Sequence, residues 1–166
     1  AIEWIESQLI AEYGECQNNS EDFSPLADQL LLKGLPNSDL ETLQKNVTST
    51  EYESGSKIIQ LNEKADGIYF LRSGKVSVMV GDGIYVSGLD AGTCFGELAL
   101  IAPDATRTAN IVADTKVFCS FLSIKAFNEI SLVNPSFNEL LLRNLGLILF
   151  ERLKQNNSKI IALSAN

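Results

Sequence analysis

Glu97 and Arg107 are charged residues whose setting could do chemistry, standing ten positions apart in FGELALIAPDATRTANIVA, residues 95–113. Gly96 and Glu97 open a short apolar turn of helical character through Leu98 and Ala99, and Arg107 is followed by Thr108, Ala109 and a strand-like run. The first amides of a helical turn lack intrahelical acceptors and can face an anion. Glycine has no Cβ and lets the backbone come close to a ligand. A guanidinium stays charged and can donate two parallel bonds to a phosphate. A carboxylate can accept a charge-assisted bond from a sugar hydroxyl, and Ala99 is small enough to lie over a sugar. One carboxylate, one guanidinium and a set of amides suit a ribose that carries a cyclic phosphate. Taken singly, each residue has a plainer explanation. Glu97 and Arg107 could form a surface ion pair worth ~0–1 kcal/mol, and Gly96 could be an ordinary turn residue. Their joint placement, after short strands and before an alternating strand, favours the site.

These residues need elements to hold them. Residues 25–33 carry a helical pattern that Gly34 ends. Ser38, with Glu41 three residues on, reads as a capping box opening a helix to about Asn46. From Val47 to Leu122 the pattern changes to short strands and turns. Ser73-Gly74 joins Gly67–Arg72 to Lys75–Val80 as a tight hairpin. Gly81-Asp82-Gly83 then turns into Ile84–Leu89. Further strands are expected at Lys57–Leu61, Ala109–Ala113 and Lys116–Leu122. Many short strands with Gly-rich turns imply an antiparallel sandwich or barrel. Ser123 caps a helix to about Leu132. Pro135 starts the longest helix, apolar on nearly all sides through Leu141, Leu145, Leu147 and Phe150. One face can pack on the strands, and the other needs a partner helix, a ligand or a second subunit.

The 166 residues fit one domain with appendages. Residues 1–22 read as an appended helix and linker, 23–157 as the main domain and 158–166 as a tail. The first helix has Ile2, Ile5, Leu9 and Tyr13 at helical spacing. There is no histidine, so the usual general base and most catalytic zinc sites are absent. No enzyme and no metal are expected. Cys16, Cys94 and Cys119 lack metal spacing and read as reduced thiols of a cytoplasmic protein. A net charge of −8 lacks the basic face of a nucleic-acid binder, so no nucleic-acid partner is expected. The chain starts at Ala1 and its only methionine is Met79, which reads as a segment of a longer protein.

The segment around Gly96-Glu97 and Arg107-Thr108 resembles the phosphate-binding cassette of cyclic nucleotide-binding domains. GSKIIQLNEKADGIYFLRSGKVSVMV, Gly55 to Val80, resembles the first half of that family's β-roll, and the likeness covers roughly Pro25 to Gln155. The resemblance implies an α+β fold: a jelly-roll-like antiparallel β-roll of about eight short strands, helices before it and a long C-terminal lid helix after it. It implies ligand contacts from Gly96, Glu97, Leu98, Ala99, Arg107 and Thr108. Glu97 would hold the ribose hydroxyl, Arg107 the phosphate, and Thr108 the phosphate or the base. Cyclic AMP is the default ligand, with cyclic GMP open because of Thr108. Arg152 and Asn156 are candidates for meeting the base from the lid. Asn62 stands where the family often has Gly, and Thr106 where it often has Pro. The expected partners are a fused effector, transporter- or enzyme-like, or a second subunit, including a homodimer through the long helix. The location is the cytoplasm, including the cytosolic part of a membrane protein. The rival reading is a nucleotide-free β-roll used for docking or dimerisation. Residues 1–15 are similar to the closing helix of STAS domains.

Overall fold

The structure, a computed structural model, describes residues 23–102 and 104–164. The expected helix over residues 1–14, its STAS likeness and Cys16 lie outside the described residues. Among the described residues eight antiparallel strands form two four-stranded sheets. They are β1 (Thr48–Tyr52), β2 (Lys57–Ile59), β3 (Gly67–Ser73), β4 (Lys75–Val80), β5 (Ile84–Asp90), β6 (Cys94–Phe95), β7 (Asn110–Ala113) and β8 (Val117–Ser123). One sheet runs β1-β8-β3-β6 and the other β2-β7-β4-β5. Among the described residues four α-helices accompany them: α1 (Asn37–Asn46), α2 (Leu98–Ile101), α3 (Ile124–Val133) and α4 (Pro135–Ser164). This is the α+β roll expected from the sequence.

The period-two pattern of the strands separates two cores. On β3, Ile68 and Phe70 face the helices, where they pack with Leu43, Leu122, Phe127, Phe137, Leu141 and Leu145. Leu71, one residue out of phase, faces the other way and packs with Val76, Phe95, Ile111, Val117 and Cys119. Successive strand side chains point to opposite faces, so one central strand serves both cores. The N-terminal stretch is pinned to the helix-facing side. The buried Arg72 donates from Nε to the Ser24 carbonyl at 2.6 Å and from Nη1 to Ser120 Oγ at 3.0 Å, and lies 4.7 Å from the Phe23 ring centre.

Some local details differ from the sequence reading. Residues 25–33 fold as two 3-10 turns, Leu26–Asp28 and Leu30–Leu32, rather than one α-helix. Gly34 follows them at φ +88°. Helix α1 starts at Asn37, one residue early, and no side chain caps it; the Ser38 carbonyl accepts from Thr42 Oγ1 inside the helix. The preceding Pro36 supplies an extended residue that suffices to start the helix. Helix α4 runs on to Ser164, through residues 158–164. Ser123, by contrast, caps α3 as expected, its Oγ accepting from the Ala126 amide at 3.1 Å.

Candidate ligand site

The site is built on two chain crossings. The turn at residues 62–66 lies alongside 105–107, where the Asn62 amide donates to the Arg107 carbonyl at 2.9 Å and the Arg107 amide to the Glu63 carbonyl at 2.7 Å. Asn62 has φ +71°, the only described non-glycine residue with a positive φ. Asparagine tolerates this region, so the turn forms without a glycine here. The backbone of Arg107 is thereby fixed by residues more than forty positions upstream.

Its side chain is fixed as well. Arg107 is buried, and its Nη1 donates to the Gly96 carbonyl at 2.9 Å. Its Nη2 donates to Asp66 Oδ1 and to the Gly67 carbonyl, both at 2.9 Å. A guanidinium has five N–H donors. Three are used within the chain, and among the described residues Nε–H and the second Nη1–H have no partner. Asp66 is largely exposed, so it is the pliable member of the set, while the two carbonyls belong to the backbone frame. Gly96 makes this approach feasible, since its φ is +78° and a Cβ there would lie 2.7 Å from Arg107 Nη1.

Glu97 follows directly and precedes α2, whose four residues give it little more than one turn. The Leu100 amide donates back to the Glu97 carbonyl at 3.0 Å, and the Ala99 amide to the Gly96 carbonyl at 3.4 Å. Among the described residues, the Glu97 and Leu98 amides meet no acceptor. The Glu97 carboxylate is held from α4, where Arg152 Nη1 donates to its Oε1 at 2.9 Å. Arg152 Nη2 donates to the Cys94 carbonyl at 2.6 Å. Cys94 is buried and its thiol is pushed up to about 12, chiefly by burial and then by the Glu97 charge. This leaves it an inert wall of the site.

The structure thus brings Gly96, Glu97 and Arg107 together through the Gly96 backbone. Leu98 is half-buried beside them and Thr108 is exposed. Ala99 is fully buried. Asn156 is exposed on α4, whereas Arg152 reaches the cassette itself. Sequence reasoning missed Asp66 as the partner of Arg107. The two are 41 residues apart, and only the crossing of two turns brings them within bonding distance. It also missed Tyr69, whose ring stacks on Phe95 at 5.1 Å and whose hydroxyl is pushed well up by burial and by Tyr52. Among the described residues no cluster of acids, thiols or imidazoles could hold a metal ion, and no helix is long and apolar enough to cross a membrane.

Comparison with known proteins gives a consistent pattern. The sequence model described as "cyclic nucleotide-binding domain" matches residues 49–133. Glutaminase 1 of Bradyrhizobium diazoefficiens is 38% identical over 168 residues, spanning 99% of this chain and 26% of that protein. The cAMP-dependent protein kinase type II regulatory subunit of Drosophila melanogaster is 36% identical over 104 residues, covering 60% of this chain and 27% of the relative. The chain therefore spans about a quarter of the length of these relatives. Among solved structures, the catabolite activator protein of Thermus thermophilus superposes with a TM-score of 0.66 at 23% identity, over 82% of this chain and 63% of that one, a likeness of fold.

Proposed function

We propose a sensory role for this chain, which belongs to the cyclic nucleotide-binding domain family. In this reading it is a regulatory domain that binds cyclic AMP or cyclic GMP and passes the ligand's presence to α4. The cyclic phosphate meets the free N–H donors of Arg107 and the Glu97 and Leu98 amides. The ribose hydroxyl meets Glu97, with Gly96 giving the backbone room and Ala99 filling the floor of the turn. Thr108, exposed at the rim, is available to the phosphate or base. The observation that carries the reading is the buried Arg107, held against the Gly96 carbonyl at 2.9 Å with two donors unspent. Arg107 Nε is not among the buried polar atoms left without a partner, so it is open to an anion, which could take charge-assisted bonds from the guanidinium.

The glutaminase relative matches essentially the whole chain, so the effector we favour is a fused glutaminase-like enzyme in the cytoplasm. The chain itself carries regulation rather than catalysis, and the net charge of −8 argues for partners other than nucleic acid. A second reading, a nucleotide-free docking or dimerisation module, draws support from Leu142, Leu147, Phe150, Leu153 and Ile161, all exposed on α4.

One titration separates the two. Cyclic AMP or cyclic GMP at ~100 times its dissociation constant is expected to stabilise the chain by about 2.7 kcal/mol, read as a raised melting temperature, and Arg107→Ala is expected to abolish the rise. An unchanged melting temperature with both nucleotides at saturation sinks the sensor reading and leaves the docking module.

A further inference from the structure

The ladder between residues 59–65 and residues 105–111 is interrupted at one place, and a side chain fills the gap. Ile59 stands opposite Ile111 at one end and Lys64 opposite Thr106 at the other, in one antiparallel register. Within it the Ala65 amide donates to the Ala105 carbonyl at 3.0 Å, and the Arg107 amide to the Glu63 carbonyl at 2.7 Å. Hydrogen-bonded pairs recur at every second residue of such a ladder, so the next belongs to Leu61 and Ala109. It is not made. The Leu61 amide donates instead to Asn110 Oδ1 at 2.8 Å. Among the described residues the Thr108 and Ala109 amides meet no acceptor, and the chain there stands outside the ladder. Asn110 stands opposite Met79 on β4, so its own backbone is back in the sheet. Its neighbour Ile111 packs in the core between the sheets, which puts the Asn110 side chain on the opposite face.

We infer that Asn110 is a positioning residue for the phosphate site. Its Oδ1 takes the bond that the Ala109 carbonyl would otherwise accept, and so keeps residues 108–109 out of the ladder beside Arg107. The inference rests on the sensor reading above. An amide cut off from water needs an acceptor, and a ladder left open at Leu61 closes most simply onto Ala109. Closure draws the backbone after Arg107 toward the turn at residues 62–66. The Arg107 amide and carbonyl are already tied to Glu63 and Asn62, so the displacement falls on Thr108, the exposed rim residue between them. Asn110 therefore acts through the backbone of Leu61 and Ala109 rather than by touching a ligand. The asparagine amide suits the task, since its oxygen is an acceptor that reaches past its own main chain without carrying a charge.

The test uses the full 166-residue chain and the two phosphorothioate diastereomers of cyclic AMP. Base, ribose and charge are the same in both, and only the exocyclic oxygen replaced by sulfur differs. Donors fixed in place tell the two apart, because sulfur is the weaker acceptor. Calorimetric titration of the wild type is expected to give unequal affinities. In Asn110→Leu their ratio is expected to shrink roughly three- to tenfold, the scale of one hydrogen bond. Asn110→Asp, which keeps an acceptor in the same place, is expected to restore most of it, and Asn110→Ala replaces the leucine variant if that one does not fold. A merely structural role would weaken both diastereomers by one factor, so an unchanged ratio overturns the inference, as does a wild type that binds both equally. A wild type that binds cyclic AMP in none of the three forms overturns the sensor reading beneath it. Hydrogen exchange supplies a readout without ligand. The Ala109 amide is expected to exchange freely in the wild type and to slow roughly tenfold in Asn110→Leu as the ladder closes on it. An Ala109 amide already slow in the wild type, or still fast in the leucine variant, overturns the inference as well.

Discussion

A Cβ at Gly96 would lie 2.7 Å from Arg107 Nη1 and 3.3 Å from the Gly67 carbonyl oxygen, in a residue whose φ is +78°. The left-handed region alone costs an L-residue ~1–2 kcal/mol. The contact with Arg107 adds to it, because that guanidinium is fixed by two carbonyls and Asp66 and has little room to retreat. Gly96→Ala is therefore expected to lower unfolding free energy by about 1–3 kcal/mol, measured by urea denaturation, and to weaken nucleotide binding together with it. Stability equal to wild type would mean that Arg107 is freer than its contacts imply. At this scale the sequence was legible where neighbours in the chain do the work. Gly96, Glu97 and Arg107 stand within twelve residues of one another, and helical and strand patterns locate them. Asp66 and Arg152 were harder because their partners are 41 and 55 residues away, and no local spacing records such a meeting. One trace of Arg152 did exist, a charge on the inward stripe of a long helix.

Strands that alternate, such as Lys75–Val80, and turns built on glycine, such as Ser73-Gly74, were readable from composition. The two that escaped explain why. β6 has only two residues and shows no period, and β1, Thr-Ser-Thr-Glu-Tyr, is polar and half-exposed at the edge of its sheet. The 3-10 turns at 26–32 have the leucines of a helix, yet tertiary packing sets their path. Gln29 Nε2 donates to the Leu71 carbonyl at 3.0 Å, and the Leu30 amide donates to the Gly92 carbonyl at 3.2 Å. Helix α4 was the most legible element, including its two apolar faces. Its outer residues Leu147, Phe150 and Leu153 are each more than half exposed. These residues are the ones the docking reading would use for self-association. Replacing Phe150 and Leu153 by lysine is expected to shift the chain to a smaller species in analytical ultracentrifugation, with its melting temperature held within a few degrees. A wild type that sediments as a monomer at all concentrations removes self-association and leaves another partner for this face.

The whole molecule has two cores that share β3, and each contains a buried thiol. Cys94 lies in the helix-facing core and Cys119 between the sheets. Burial pushes both thiols up to about 12. The sign of the effect follows from linkage. A free thiol ionises near 8.5, so above that pH the unfolded chain gives up protons that the folded chain keeps. The stability contributed by the neutral thiols is present below pH ~8.5 and is lost as pH rises toward 12. Melting temperature is expected to fall on the alkaline side, and the fall is expected to be shallower in a Cys94→Ala, Cys119→Ala variant. A fall of equal depth would show that other groups set the alkaline limit. Last, α4 is clamped near its start and free along much of its remaining length. From Leu145, its last fully buried leucine, to Ser164 is nineteen residues, or about 28 Å of helix at 1.5 Å per residue. A tilt of roughly 10° about Leu145 carries the far end through about 5 Å over that length. The same tilt moves Arg152, only seven residues past the pivot, by about 2 Å, enough to break a hydrogen bond. On the sensor reading proposed above, the helix would be a lever with its short arm beside Glu97, turning the loss of one ion pair into a displacement the size of a side chain.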